Sequence, residues 1–459
     1  MTLRDLYDRM PVAVQNGFAT AYGTRELVRR HAGSFRRNVR GLEARERWSE
    51  ERLLEDQAVR LRGMVTWAAH RIPHYRELFA ELGIDAQDIR SADDLRALPI
   101  LEKETVRADP ERFLPDGDRP HLVPQTTGGT TGTPLRYWAT LDAVRFNYAV
   151  YESRVRGWAG VRLGDRMASL HGQPIVPAEQ QHGPYWRRNL AFNQLYCSVY
   201  HLSDRTLPEY VAALERFAPR VIAGYTSAVH RLATHLLSTG DVGRIRPAAI
   251  LVSSETLLSS ARQDIETAFG CRVWNSYSLG ELVAYITECE HGEMHVSTEY
   301  GVVELVEVDG RHEIVATGLI NRGMPLLRYR TGDLADPVSG GPSSCGRGLP
   351  RIENLLGRVD DVVRTPEGAV IGPAPMSLAF QKVPRIRRAQ VHQSTIDAIE
   401  VLIETAEGFD SSDEDFLLTE LRRRLGDGLV IDVRHVEQVP RTSGGKERLV
   451  VSTLSRPPV

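Results

Sequence analysis

Eight consecutive residues, Thr126 to Thr133 (TTGGTTGT), comprise five threonines and three glycines and are closed by Pro134. Glycine lets several backbone N–H groups turn toward one anion, and it adds no bulk to keep that anion away. Threonine hydroxyls add further donors for phosphate oxygens. The stretch therefore suits a phosphate cradle. It lacks the Gly-x-x-x-x-Gly-Lys-Ser/Thr signature of the common nucleoside-triphosphate loop, and a polar Gly/Thr turn with no ligand fits the same residues equally well. A second cluster has metal-ligand types. ECEHGEMH carries Cys289, His291 and His295, and Cys345 follows in SSCGRGLP. Three or four such ligands suit a tetrahedral zinc site, structural because it lies far from the Thr/Gly stretch in sequence. The alternative is a pair of buried thiols beside surface histidines.

These residues have to be positioned by a fold. RVIAGY (220–225), AAILVSS (248–254) and RVWNSYS (272–278) are short apolar runs, and helical patterns follow the first two. Strand, helix and strand at this spacing predict a parallel sheet with crossover helices. Ligands of such sheets bind beyond the C-terminal strand ends, where the sequence places GYTSA, SSETL and SYSLGE. Upstream, residues 1–82 read as helical, and 91–120 are irregular with four prolines. The aromatic segment 141–158 has helical spacing, with Phe146, Tyr148, Tyr151 and Trp158 expected in the core. After Glu281 the pattern alternates, as antiparallel strands do. The tail after Arg358 reads as β-α-β and has the size of a small domain.

Composition excludes some classes. The 459 residues carry a net charge of −3 and are 25% charged, as in an ordinary globular protein. No basic stripe points to nucleic acid, and the Arg422–Arg424 cluster reads as a solvated helix face. No apolar run approaches the ~18 residues of a membrane span, and the start MTLRDLYDRM does not read as a signal peptide. Four cysteines make no disulfide framework. A cytoplasmic protein, monomeric or homodimeric, is the expectation.

Five segments in order resemble motifs of the adenylate-forming (acyl-CoA synthetase) superfamily: the Thr126–Pro134 stretch, NSYSLGE (275–281), RYRTGDLA (328–335), GRVDD (357–361) and PRTSGGKER (440–448). HYRELF (74–79) and LPILEKETVR (98–107) are similar to the lead-in of phenylacetate–CoA ligases and their capsule-biosynthesis relatives. The resemblance implies an α/β fold: a large N-terminal adenylation domain (1–357) with mainly parallel sheets and a β-barrel-like part, a hinge (358–361), and a small mobile α+β lid (362–459). It implies activation of a carboxylic acid, aryl or small acyl, as acyl-AMP with release of pyrophosphate, followed by transfer to coenzyme A. ATP, Mg2+ and coenzyme A are the implied cofactors, with zinc as an additional structural ion.

Roles follow by the same resemblance. Thr126, Thr127, Gly128, Gly129, Thr130, Thr131 and Gly132 would hold the β- and γ-phosphates, Thr130 and Thr131 closest to the chemistry. Glu281 would ligate Mg2+. Asn275, Ser276 and Tyr277 would flank the nucleotide, Tyr277 by stacking on adenine. Ser254 and Glu255 would lie near the base. Asp333 and Arg358 would reach the ribose, Asp360 would be the hinge, and Lys446 would neutralise the α-phosphate and carboxylate oxygens. Tyr225, Ser278, Leu279 and Gly280 would line the substrate pocket. One departure matters: Gly280 stands where the family motif has a threonine whose hydroxyl touches the α-phosphate. Two other readings therefore remain at this stage. One is adenylation with a different acceptor (an amine, a sugar, a carrier protein, or AMP transfer to a hydroxyl). The other is a nucleotide-binding scaffold without turnover.

Overall fold

A computed structural model describes residues 3–117, 122–126, 135–177, 179–308, 310–358, 361–383, 385–442 and 444–454. Five helices open the chain: α1 (Leu3–Asp8), α2 (Val12–His31), α3 (Phe35–Arg45), α4 (Glu50–Arg71) and α5 (Pro73–Leu82). The Ser49 hydroxyl caps α4 by accepting the Arg52 N–H. That helix buries Leu53, Leu61, Met64, Val65 and Ala68, the three- and four-residue spacing of one face. Helix α5 stops at Gly83, whose φ of 64° is the left-handed conformation glycine adopts without strain.

After the short α6 (Lys103–Ala108) come β1 (Leu122–Thr126) and β2 (Arg136–Thr140). They pair antiparallel with Thr126 opposite Arg136, so the Thr/Gly stretch connects a hairpin. Residues 127–134 themselves lie outside the described residues. Helix α7 (Leu141–Val150) then passes into a π-helical turn, Tyr151–Arg156. The expectation of an aromatic core here is corrected. Phe146, Tyr148, Tyr151 and Trp158 are only half-buried, whereas Ser153, Arg154, Val155 and Arg156 are buried. The wider π turn rotates the helix face. Arg154 goes inside because Glu299 meets it there, at 2.9 Å.

The parallel sheet is built from β3 (Met167–Leu170), β4 (Trp186–Asn189), β5 (Gln194–Cys197), β6 (Val221–Tyr225), β7 (Ala249–Ser253) and β8 (Val273–Ser278). Helices α8 (Leu207–Phe217), α9 (Thr226–Thr239) and α10 (Ser259–Phe269) connect them. Neighbours β5–β3–β6–β7–β8 run parallel, and β4 pairs antiparallel on the edge. Gly224 is required in β6: a Cβ there would stand 2.7 Å from the Leu170 carbonyl oxygen. The core joins Ile222, Ile250, Val252 and Val273 of the strands to Leu214, Leu232, Leu236, Ile265 and Phe269 of the helices.

At β8 the sheet changes character. Strand β9 (Tyr285–Glu288) pairs antiparallel with it, and β10 (Met294–Val296) pairs antiparallel with β9. The strands expected as a barrel-like part, β11 (Gly301–Val308), β12 (Arg311–Gly318), β13 (Tyr329–Pro337) and β14 (Arg351–Arg358), are hydrogen-bonded onto this end of the same sheet. Among the described residues it has twelve strands, in the order β11-β12-β13-β14-β10-β9-β8-β7-β6-β3-β5-β4.

Two compact units emerge. The first is 1–306, 314–331 and 337–354; the second takes 307–313, 332–336 and 355–459. In the second, β15 (Val363–Arg364) and β16 (Val370–Ile371) precede α11 (Pro373–Gln381), β17 (Ile386–Thr395), β18 (Ala398–Thr405), α12 (Ser411–Leu425), β19 (Val430–His435) and β20 (Val450–Ser452). The four-stranded sheet runs β19-β18-β17-β20. β18 and β19 are parallel, joined across α12, which starts with an Asp410/Asp413 capping box. Val391, Val401, Ile403, Leu417 and Leu421 form this unit's own core. Among the described residues no helix is long and apolar enough to cross a membrane.

Candidate active site

The parallel strands β6, β7 and β8 end side by side at Tyr225, Ser253 and Ser278, and candidate residues gather there. Glu255 caps α9: its carboxylate accepts the Ser227 N–H at 2.7 Å and the Ser227 hydroxyl at 3.1 Å. A negative charge is favoured at that helix end. Ser254 beside it has φ 70°, and Leu282, next to Glu281, has φ 61°. Left-handed backbone at non-glycine residues costs of order 1 kcal/mol or more and persists where surrounding structure enforces it. Tyr225 is half-buried; the Gly172 backbone hydrogen-bonds its phenol, burial raises its pKa, and His171 meets its ring edge-on at 5.5 Å.

Along β8, the Asn275 N–H donates to Glu288 at 2.8 Å, Ser276 is buried, and Tyr277 is half-buried opposite Ile286. Ser278 is hydrogen-bonded to the Tyr285 phenol. Leu279 and exposed Gly280 form the turn after it, closed by the Leu282 N–H on the Leu279 carbonyl at 3.1 Å. Glu281 follows, where pairing switches from parallel to antiparallel.

Glu281 is a buried carboxylate, 5% exposed. Its Oε1 accepts the Tyr329 phenol at 3.0 Å and pairs with Lys103 Nζ at 3.2 Å. A buried carboxylate at the ends of parallel strands is suited to a divalent cation. Tyr137 of β2 is also near: burial first, and then the Glu281 charge, hold its phenol well above the ordinary range. Ahead of Lys103, the Leu101 N–H donates to the Arg328 carbonyl at 2.8 Å, and the Arg330 N–H returns a bond to the Leu101 carbonyl at 3.0 Å. This bridge sets Leu101 against Tyr329. Beyond the turn, Gly301 lets its strand approach: a Cβ there would stand 1.9 Å from the Val283 carbonyl oxygen.

In the second unit, Arg358 Nε donates to Asp333 Oδ1 at 3.3 Å. Arg448 pairs with Asp361, whose pKa burial nevertheless raises. Lys446 sits in a loop closed on itself: the Lys446 N–H reaches the Thr442 hydroxyl at 3.1 Å, and the Thr442 N–H reaches the Lys446 carbonyl at 2.9 Å. Exposed Thr126 ends β1. Thr127, Gly128, Gly129, Thr130, Thr131, Gly132 and Asp360 lie outside the described residues.

The expected metal ligands are partly corrected. Cys289, Glu293, His295 and Cys345 have ligand atoms all within 4.8 Å of one another. His291 is not among them. It lies in the β9–β10 turn, exposed, with its ring on the Ser344 hydroxyl at 3.0 Å. Strand alternation explains the exchange, since Glu293 and His295 share a face two residues apart. His295 Nε2 is 3.3 Å from Cys345 Sγ, and its Nδ1 faces the Leu349 carbonyl at 3.2 Å, an arrangement that turns Nε2 toward the cluster. Burial lowers the His295 pKa to about 4, which leaves a neutral imidazole. Burial raises Cys289 to about 11.

Comparison with known proteins finds relatives of the whole chain. Residues 363–453 match the CapK C-terminal domain. Protein CapK of Staphylococcus aureus is 27% identical over 98% of this chain and 100% of its own length. The phenylacetate-coenzyme A ligase of Thermus thermophilus is 26% identical, covering 87% of this chain and 96% of its own. The chain is similar to Protein CapK and to the phenylacetate-coenzyme A ligases over most of its length. Its fold matches 2-hydroxyisobutyryl-CoA ligase, in the postadenylation state with R3-HIB-AMP, at TM-score 0.68 and 19% identity over 89% of this chain and 91% of that one. In this chain, the sequence motifs lead to Glu281 but do not pair it with its partners. Lys103 lies 178 residues away and Tyr329 lies 48 away. Both stand in quoted segments, LPILEKETVR and RYRTGDLA, and only the Leu101–Tyr329 bridge reveals why.

Proposed function

We propose that this protein activates a carboxylic acid with ATP as an acyl-adenylate, releases pyrophosphate and passes the acyl group to coenzyme A. The observation that carries this reading is Glu281: a buried carboxylate held by Tyr329 and Lys103 at the C-terminal ends of parallel strands, in a chain similar to phenylacetate-CoA ligases over most of its length. Mg2+ on that carboxylate would offset the charge of the triphosphate. The Thr126–Gly132 stretch would hold the β- and γ-phosphates, with Thr130 and Thr131 against the departing pyrophosphate. Tyr277 would flank adenine beside Asn275, Ser276, Ser254 and Glu255. Tyr225, Ser278, Leu279 and Gly280 would bound the acyl group, which is aryl or small. The Asp333–Arg358 pair would take the ribose hydroxyls, and Lys446 would neutralise the reacting oxygens. On this reading 1–357 is the adenylation domain, 358–361 with Asp360 the hinge, and 362–459 the mobile lid.

Cys289, Glu293, His295 and Cys345 would hold a structural zinc ion. Supporting this are two sulfur donors, a neutral imidazole oriented by a backbone carbonyl, and a carboxylate, all converging. The four cysteines are free, which fits a reducing cytoplasm, with the chain acting as a monomer or homodimer.

The test is pyrophosphate release with ATP and Mg2+ across a panel of aryl and short acyl acids, with and without coenzyme A. Release with matching thiol consumption is expected. Lys446→Ala should abolish carboxylate-dependent pyrophosphate exchange while ATP binding persists. Release without thiol loss would replace coenzyme A by another acceptor, and no release with any acid would refute the reading.

A further inference from the structure

The geometry points to Lys103 as a tethered counter-cation of Glu281, one that competes with the catalytic metal for that carboxylate and so sets the metal affinity of the site. This rests on Glu281 as the metal ligand. The lysine is not placed by chance. Its helix starts two residues after Leu101, and Leu101 is bridged to β13 at Tyr329 by two backbone hydrogen bonds. Tyr329 is the residue whose phenol also donates to Glu281 Oε1. Three chain segments thus converge on one carboxylate oxygen: α6, the β8–β9 turn and β13. Next to Lys103, Glu102 pairs with Arg330 at 2.9 Å, a second fastening of the same segment.

The burial differs between the partners. The Glu281 side chain is 4% exposed and that of Lys103 is 24%. An unpaired carboxylate at that depth is costly, so without metal the ammonium serves as its counterion. The lysine can leave, because its partly exposed end can regain water, whereas the carboxylate cannot move out. A divalent cation approaching Glu281 has to displace the ammonium or tolerate its charge close by. Both weaken binding. If the pair is formed nine-tenths of the time, the competent fraction is about one-tenth and the apparent metal affinity is about tenfold weaker.

The rival role for such a lysine is to hold the phosphates directly, and one measurement separates the two. Calorimetry gives the affinity of the full-length protein for α,β-methylene-ATP with Mn2+ and for the same nucleotide in EDTA; the ratio is the metal's share. For Lys103→Met and Lys103→Gln, that ratio should rise about tenfold. Lys103→Arg keeps the charge and should stay within about twofold of the parent. In Glu281→Gln the ratio should fall. If both neutral Lys103 variants bind the two forms more weakly with the ratio unchanged, the lysine is a phosphate ligand and the proposal is overturned. A fall in Glu281→Gln together with unchanged Lys103 ratios removes the proposal alone. An unchanged ratio in Glu281→Gln removes the metal-ligand reading and the proposal with it.

Discussion

Arg154 and Glu299 are 0% and 1% exposed, and a single guanidinium nitrogen, Nη2, contacts both carboxylate oxygens at 2.9 Å. Arg154 Nε and Nη1 are buried without a hydrogen-bond partner among the described residues, as are the hydroxyls of neighbouring Ser297 and Thr298. Two consequences follow from that geometry. Removing one partner strands a charge where water does not reach, so Arg154→Met or Glu299→Leu should each cost about 3–5 kcal/mol of stability. Removing both charges is a different matter. The pair's attraction offsets desolvation fully only when the remaining protons are also bonded, and here two of the guanidinium nitrogens are not. The double variant Arg154→Met/Glu299→Leu should therefore lie within about 1–2 kcal/mol of the parent, a coupling of several kcal/mol. Urea unfolding followed by tryptophan fluorescence reads all four proteins, with Trp158 four positions along the same segment. Single variants that each cost under about 1 kcal/mol, or a double variant as damaged as the sum of the singles, would refute the reasoning.

Acid sensitivity should come in part from His31, whose pKa burial, aided by Arg156 and Arg30, lowers to about 4 against the Leu27 carbonyl. A folded pKa below the unfolded value of ~6.5 means the unfolded chain binds the proton first, so this contribution is complete above pH 6.5 and is lost as pH falls toward 4. His31→Gln should flatten the fall in urea midpoint over that window by on the order of 2 kcal/mol, the histidine being only partly buried; an unchanged pH profile would show that the imidazole titrates normally. The proposed zinc site makes a separate demand. Metal analysis should find one zinc per chain, lost in Cys345→Ser, and zinc at a hundredfold excess over its Kd should stabilise the protein by about 2.7 kcal/mol relative to chelator-treated protein. Equal metal content in Cys345→Ser and the parent would dismiss the site.

Much of the fold is written in local patterns. The runs 221–225, 249–253 and 273–278 are apolar and β-rich, and α9 and α10 end on Gly240 and Gly270 in the left-handed conformation, so both the strands and the crossover helices can be read from short windows. The strand ends then locate Tyr225, Ser254 and Glu281 without any knowledge of packing. What escapes is whatever depends on distant partners. Arg154 looks like a surface residue until Glu299, 145 positions later, is brought beside it. Lys103 looks like a solvated helix start until the bridge at Tyr329 turns it toward Glu281. The grouping of Asp333 with Arg358 comes from the resemblance of their motifs and from no local pattern, because 332–336 belong to a strand whose ends lie in the first unit.

In the proposed zinc site, strand geometry and ligand type point to different residues. Ligand types alone favour His291 over Glu293, since histidine is the commoner zinc ligand. Geometry decides otherwise. Cys289 closes β9, and its carbonyl accepts the Gly292 N–H at 3.0 Å, which makes 289–292 a turn and puts His291 at its tip. From Glu293 onward the chain is extended again: Cys289 N–H bonds the Glu293 carbonyl at 2.9 Å, and alternation carries Glu293 and His295 to one face. Gly292, with φ 86°, marks the reversal and is legible in the sequence as the glycine of EHGEMH. A hairpin centred on that glycine forces the carboxylate inward and the turn histidine outward, whatever their intrinsic affinities for zinc. Arg351 then pairs with Glu293, so the carboxylate is already partly neutralised before any ion arrives. That pairing lowers the charge of the donor set by one. The proposed zinc site would then have two sulfurs, one imidazole and one tempered carboxylate as donors, closer in character to a closed structural zinc centre than to an open catalytic one.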